Sequence, residues 1–323
     1  VYILASIGFA GGNIFYDSFL PLIVKDDRID MVSSQGYAMG YLGGGILLGV
    51  NLAMIMKPEW FGFSDTLMAT RAVFLSVALW WLVFTIPLWR HVPEPTRHIR
   101  IGEENFNPVQ ASFSRLYHTF KDLKKFKELM KFIVAFWLYN NGIGTIIYMA
   151  VIYGTELGFS EITTIGTLLM VQFVAIPFAF LFGWLGDKIG TKRSILLSIF
   201  VYSLIAIGGY FLMQEWHFWV LGFSVATVQG GSQALSRSLF GRMLPKSKSA
   251  EFYAFFSVSE KIAGTVGPLL FGIVSKIMGN SRLSIVSLII FFITGGFLLS
   301  RVKEQDAIKI AEKEEAEFIA AGA

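Results

Sequence analysis

The stretch GWLGDKIGTKRS, residues 183–194, decides the fold. It joins two long apolar runs, TTIGTLLMVQFVAIPFAFLF before it and ILLSIFVYSLIAIGGYFLM after it, and its charged residues are Asp187, Lys188, Lys192 and Arg193. A membrane-spanning helix needs about 20 mostly apolar residues, and each run has that length. The stretch therefore reads as a tight turn between two membrane helices. Gly183, Gly186 and Gly190 let the helix ends turn and approach a neighbour closely. The Asp187 carboxylate suits the free N–H groups of a helix N-terminus, here expected to be that of a helix starting near Ser33–Gly36. The bases hold the loop at one membrane face. A phosphate loop is excluded, because it needs G-x-x-x-x-G-K-[ST] after a strand and Thr191 separates Gly190 from Lys192.

The composition agrees. Of 323 residues, 54% are apolar and only 15% are charged, against about 25% charged in a soluble domain. This is the profile of an all-α polytopic membrane protein. With no cysteine, disulfides, iron–sulfur clusters and Cys-ligated zinc are excluded. The histidines, at 91, 98, 118 and 217, all lie outside the apolar runs, and no metal, cofactor or nucleic-acid motif is present. An intramembrane enzyme is disfavoured, since no His, Cys or paired carboxylates lie at depth.

Nine segments qualify as spans: 1–24, 33–56, 68–90, 132–154, 163–185, 193–213, 217–240, 252–277 and 282–301. If segment 91–131 is cytoplasmic, 22 of the 27 Lys and Arg residues lie on or beside that face. Lys57, Arg71, Lys276 and Arg282 lie on the other, and Lys261 lies inside a span. The positive-inside rule then places the linker on the cytoplasmic side of the membrane. The linker ends RLYHTFKDLKKFKELMKF, with Leu116, Phe120, Leu123 and Phe126 at helical spacing among bases. It is expected to form a basic amphipathic helix on the anionic inner leaflet. The organisation is thus a three-helix bundle (1–92), a basic linker (93–131), a six-helix bundle (132–303) and a charged tail (304–323).

An offset of 224 residues aligns FLP at 19–21 with MLP at 243–245, and Ser33, Gly40 and Gly43 with Ser257, Gly264 and Gly267. Parallel repeats about an axis along the membrane normal are a transporter feature. With six spans in the second repeat and three in the first, and Val1 already inside an apolar run, three further helices are expected upstream.

The 183–194 stretch resembles the signature loop of the major facilitator superfamily, which lies between the second and third helices of each half. GYAMGYLGGG (36–45) resembles the fifth-helix pattern of that superfamily, with Tyr41 where proline is usual, and GTVGP (264–268) keeps its proline. YDSFLPLIV (16–24), SSQGYAMGYLGGGILL (33–48) and LYNNGIGTIIYMAVIYGTELG (138–158) resemble the vacuolar amino-acid effluxers, the autophagy-related permeases, in their bacterial form. The resemblance implies a twelve-helix facilitator fold, of which nine helices are present, and efflux of amino acids for the fungal members. Many relatives are expected to carry an acid at the position of Asn141 and a base at that of Tyr148. Both are neutral here, so no ion pair is carried over.

In such a fold the first, fourth, seventh and tenth helices line the cavity. Polar residues on the corresponding spans are then candidate ligands. Asn13, Asn140, Gln229 and Gln233 fall at similar depth and are expected to bind a small polar solute, their amides suiting a neutral or zwitterionic one. Ser232 and Ser236 extend the glutamine stripe. Asp17, one turn deeper, and Glu260 with Lys261 are candidates for coupling or a charge network, with Gln172 flanking. Gly183, Asp187, Lys188, Gly190, Lys192 and Arg193 form the candidate conformational latch. The expected protein is a monomeric secondary transporter. The alternative is a facilitator-fold protein without transport, acting in binding or regulation.

Overall fold

The computed structural model describes residues 2–94 and 107–320. Its helices are α1 (Tyr2–Ile23), α2 (Ile29–Met56), α3 (Thr66–His91), α4 (Pro108–Asp122), α5 (Lys127–Glu156), α6 (Glu161–Ile189), α7 (Thr191–Tyr210), α8 (Glu215–Arg242), α9 (Ser249–Met278), α10 (Ser281–Ser287), α11 (Ile289–Ser300) and α12 (Glu304–Ala320). Among the described residues there is no strand. Among the described residues, seven spans are long and apolar enough to cross a membrane: α1, α2, α3, α5, α6, α7 and α10 with α11. Helices α8 and α9 match them in length, at 28 and 30 residues. The polar residues Gln229, Ser232, Ser236 and Arg237 of α8 are buried in the bundle instead of facing outward.

The nine apolar segments thus appear as helices, with corrections at their ends. The second begins at Ile29, not near residue 33, and takes Asp30 into its first turn. The last is interrupted at Leu288, which separates α10 from α11. Helix α5 opens at Lys127, inside the stretch read as linker. Linker residues 95–106 lie outside the described residues.

Local chemistry sets the helix ends. Asp65 caps α3, accepting from the Met68 amide at 2.8 Å. Asn107 and Gln110 form a reciprocal capping box at α4, satisfying two otherwise orphaned N–H groups. Gly190, at φ 95°, separates α6 from α7, a backbone state that side chains disfavour.

Helices α1–α3, before the linker, make one group by chain order and α5–α11, after it, the other, although α1 and α2 pack more on the second group than on each other. They meet chiefly where α2 packs along α6 and α8, and α1 along α8 and α9. Glycine permits this approach. A Cβ on Gly183 would lie 2.9 Å from that of Ser34, and one on Gly186 would lie 2.9 Å from Asp30 Oδ2. Gly230 leaves room for the ring of Tyr41. On α2, Gly44 and Gly45 face Gln172 of α6 and Gly36 faces Arg237, whereas nothing lies within 4 Å of a Cβ on Gly40. The α5–α11 group holds most of the core. Phe136 and Phe240 stack on Phe256, with ring centroids 4.2 and 4.7 Å apart. By contrast α3 buries only Ala69 and turns its large apolar side chains outward.

Helix α4 rests against α9, where Thr119 donates a hydrogen bond to Glu251 and Phe120 meets Phe255. Phe113, Tyr117 and Phe120 are exposed, while Phe126 is buried against Phe252. The charged tail is helical and docks on the same end. Ala307 and Ala311 are buried, and Glu314 pairs with Lys248 at 2.7 Å.

Candidate functional site

Two polar clusters join the α1–α3 group to α8, both at the end of the bundle that carries the linker. The first centres on Arg237, a buried guanidinium whose side chain is only 6% exposed. Its Nη1 donates to Asp17 Oδ1 of α1 at 2.9 Å. Its Nε donates to Ser33 Oγ of α2 and its Nη2 to the Ser33 carbonyl, both at 3.0 Å. The plane lies near the rings of Tyr37 and Tyr16, 4.8 and 5.5 Å from their centroids, where the ring faces attract a cation. A charge this deep is tolerated only when paired and hydrogen-bonded. Beside it opens a cavity of about 260 Å³, lined by Arg237, Tyr16 and Gln35 and otherwise mainly by apolar side chains such as Phe19 and Met39.

The second cluster centres on Asp30, in the first turn of α2 and almost wholly buried. It accepts from Ser238 Oγ and Arg242 Nη2 of α8 and from Thr191 Oγ1 at the start of α7. The Arg242 contacts are 3.1 and 3.2 Å. One carboxylate thus ties α2 to two helices of the other group. Its position at a helix N-terminus also favours its charge.

The structure places the sequence-derived candidates as follows. Gln229 is buried and Gln233 half-buried, and Gln233 accepts from the Tyr41 hydroxyl at 3.1 Å. Asn13 and Asn140 are half-buried on α1 and α5. No hydrogen bond among the described residues joins these four amides to one another. Ser236 pairs with Tyr139 at 2.7 Å, and Asn141 bonds back to the Trp137 carbonyl at 2.6 Å. Asp17 lies in the Arg237 cluster. Lys261 is exposed, with its ammonium 5.3 Å from the Phe9 ring centroid. The side chain of Glu260 lies outside the described residues.

In the 183–194 loop, Gly183 and Gly186 press against α2, at Ser34 and Asp30. Asp187 itself is exposed, with Asp30, Arg242 and Asp27 as charged neighbours. The acid held between helices is Asp30. Lys188 and Arg193 are exposed, and Lys192 donates to the Val302 carbonyl at 2.9 Å.

Arg237, Arg242, Asp30 and Ser33 are the polar residues that sequence reasoning did not assign. Both arginines were counted among the bases of the linker face. The available signal was spacing, since Arg237 follows Gln233 by one helical turn on the polar stripe of α8.

Long membrane helices in two groups, with charge pairs buried between them, fit the class of secondary transporters with the major facilitator fold. The family model described as "Vacuole effluxer Atg22 like" matches residues 1–312, and the chain belongs to that family. It is 34% identical over 318 residues to the MFS-type transporter YxiO of Bacillus subtilis, covering 97% of this chain and 72% of that protein. It is 27% identical over 308 residues to autophagy-related protein 22-1 of Aspergillus fumigatus, covering 87% of this chain. It spans only about half the length of that fungal relative, 50%. Among solved structures it resembles a bacterial homologue of the iron transporter ferroportin in an outward-facing state. The TM-score there is 0.61 at 12% identity, covering 93% of this chain and 70% of that one. The likeness shows the fold alone. The family is one of transporters and not of enzymes.

Proposed function

We propose that the protein moves a small polar solute, amino acids included, by alternating access in the bacterial inner membrane. The observation that carries this is the pair of buried charge clusters, Asp17–Arg237 and Asp30–Arg242, which cross between the helix groups at the linker end. A pair that is made when the ends are together and solvated when they part biases a two-state rocking motion, because it has different free energies in the two states. The glycine contacts of α6 with α2 provide the close-fitting surface that must separate. The linker end is the cytoplasmic one, as its concentration of bases requires. The exposed aromatic residues of α4, Phe113, Tyr117 and Phe120, with Arg115 and Lys121 on the same helix, rest on the anionic leaflet.

The description of the family, "Vacuole effluxer Atg22 like", favours efflux as the direction. The amides of Gln229 and Gln233 and the ionic groups of the Arg237 cluster supply the donors and acceptors that a zwitterion needs. The test is solute flux by the full-length protein in proteoliposomes, using labelled neutral amino acids and other small polar solutes. Saturable exchange above that of protein-free liposomes is expected. Absence of exchange for every solute, with folded protein in the vesicles, would overturn the reading.

A further inference from the structure

We infer that Arg237 is the carboxylate-binding residue of the solute site, and that Asp17 is a resident stand-in which the solute's carboxylate displaces. The inference rests on the transport reading above and deepens it.

Arg237 is the fixed partner. Two of its bonds go to a single residue, Ser33, and its plane is flanked by Tyr16 and Tyr37. Asp17 is the exchangeable partner. It contributes one oxygen to one nitrogen, and its side chain is 19% exposed against 6% for Arg237. A guanidinium has five N–H groups. Three are used here, so both terminal nitrogens retain donor capacity. A carboxylate taken bidentately by a guanidinium is bound more strongly than one held by a single oxygen.

The cavity supplies the room and the class of ligand. Apart from Arg237, Tyr16 and Gln35, its wall is mainly apolar, including Phe19, Leu20, Ile23 and Met39. One cation in an apolar pocket fits a small monocarboxylate with an apolar tail. Gly36 keeps the pocket open. A Cβ there would lie 3.2 Å from both Arg237 Nη2 and the Tyr16 hydroxyl.

The exchange moves one proton. The solute carboxylate takes the place of Asp17 on Arg237, and the released Asp17 carboxylate, still shielded from water, takes a proton from solvent. One anion and one proton enter together, so the charge of the cavity is unchanged. The groups facing Asp17 are Arg237 from α8 and Tyr253 from α9, while Tyr16, Tyr37 and Ser33 gather around Arg237. Because Asp17 belongs to α1 and Arg237 to α8, the same exchange also removes the tie between α1 and α8, while the Ser33 bonds keep α2 on α8.

The test measures binding by thermal stabilisation of the full-length protein, which does not require transport. The probes are 4-methylpentanoate, which has the carboxylate and an apolar tail, and isoamylamine, which has the tail without the carboxylate. Wild type should be stabilised by the acid and not by the amine. Arg237→Gln should weaken the acid's effect by at least about tenfold, the size of a lost charge-assisted bond, and Arg237→Lys should restore only part of it. Asp17→Asn should leave binding equal or tighter and abolish the proton uptake that accompanies it, read with a pH indicator in weak buffer. Gly36→Ala should weaken binding in a protein whose ligand-free melting temperature is retained. The inference is overturned if the amine stabilises as well as the acid, or if neither does. It is equally overturned if a folded Arg237→Gln protein binds the acid normally, or if proton uptake persists in Asp17→Asn. Binding without flux would instead uphold this site and refute the transport reading.

Discussion

Asp30→Asn isolates the charge of the second cluster while keeping its shape. In wild type the carboxylate meets Arg242 at 3.1 Å, with side-chain exposures of 3% for Asp30 and 23% for Arg242. Removing one partner of a fully buried pair costs about 3–5 kcal/mol. Here the cost is smaller, because Arg242 keeps about a quarter of its exposure and the amide oxygen still accepts from Ser238 or Thr191. A loss of about 2 kcal/mol for the closed linker end is the expected size. When the ends part, both groups reach water, so the loss falls on the closed form alone. At about 1.4 kcal/mol per tenfold, the open population rises roughly 30-fold. The assay exploits a chain without cysteine. Ser34 is wholly buried between α2 and α6, and its hydroxyl lacks a partner. Ser34→Cys therefore forfeits no hydrogen bond. In nanodiscs both faces are accessible, and the rate of alkylation by a hydrophilic maleimide follows the open fraction. Asp30→Asn should raise that rate by about an order of magnitude or more. A rate within twofold of the parent, in a protein with an unchanged circular dichroism spectrum, would refute Asp30 as a gate.

Further outcomes follow from the same geometry. A Cβ on Gly231 would lie 2.0 Å from Phe182 Cγ, so Gly231→Ala should destabilise by about 1–3 kcal/mol, seen as a lower melting temperature in detergent. Glu314→Lys places a second cation against Lys248 and should speed hydrogen exchange in α12. Adding Lys248→Glu should slow it again, and failure of that rescue would deny the pair its role. A cysteine at Ser114 should react with an impermeant thiol reagent in inside-out vesicles only, and labelling of intact cells would reverse the orientation.

The helices were legible because lipid imposes one solution on long apolar runs, which must bond their backbone internally. The tight turn at 183–194 was legible because Gly190 has to adopt a positive φ. Helix ends were less so. Lys25–Arg28 look like a solvated loop in sequence, yet the chain re-enters a helix at Ile29 and buries Asp30. The same difficulty hid Arg237. A base near a helix end is usually a face marker, and only its packing on Ser33, Tyr16 and Tyr37, all distant in sequence, makes it a buried group. Asp17 was singled out by its depth in an apolar helix, but its partner lies 220 residues away. Gly183 and Gly186 read as a contact surface for a helix start. Which acid would occupy that contact depended on the register between α2 and α6, which neither helix encodes by itself.

The claim that the two helix groups part at the linker end is tested most directly by a distance across it. Asp26 and Lys246 face each other there at 3.2 Å and are 60% and 44% exposed. Such an exposed pair is worth at most about 1 kcal/mol, so spin labels can replace both with little effect on the equilibrium. Double electron–electron resonance on the full-length protein in nanodiscs should give a short and a long distance, with the long one enriched by Asp30→Asn. A single short distance in both wild type and Asp30→Asn would contradict the account.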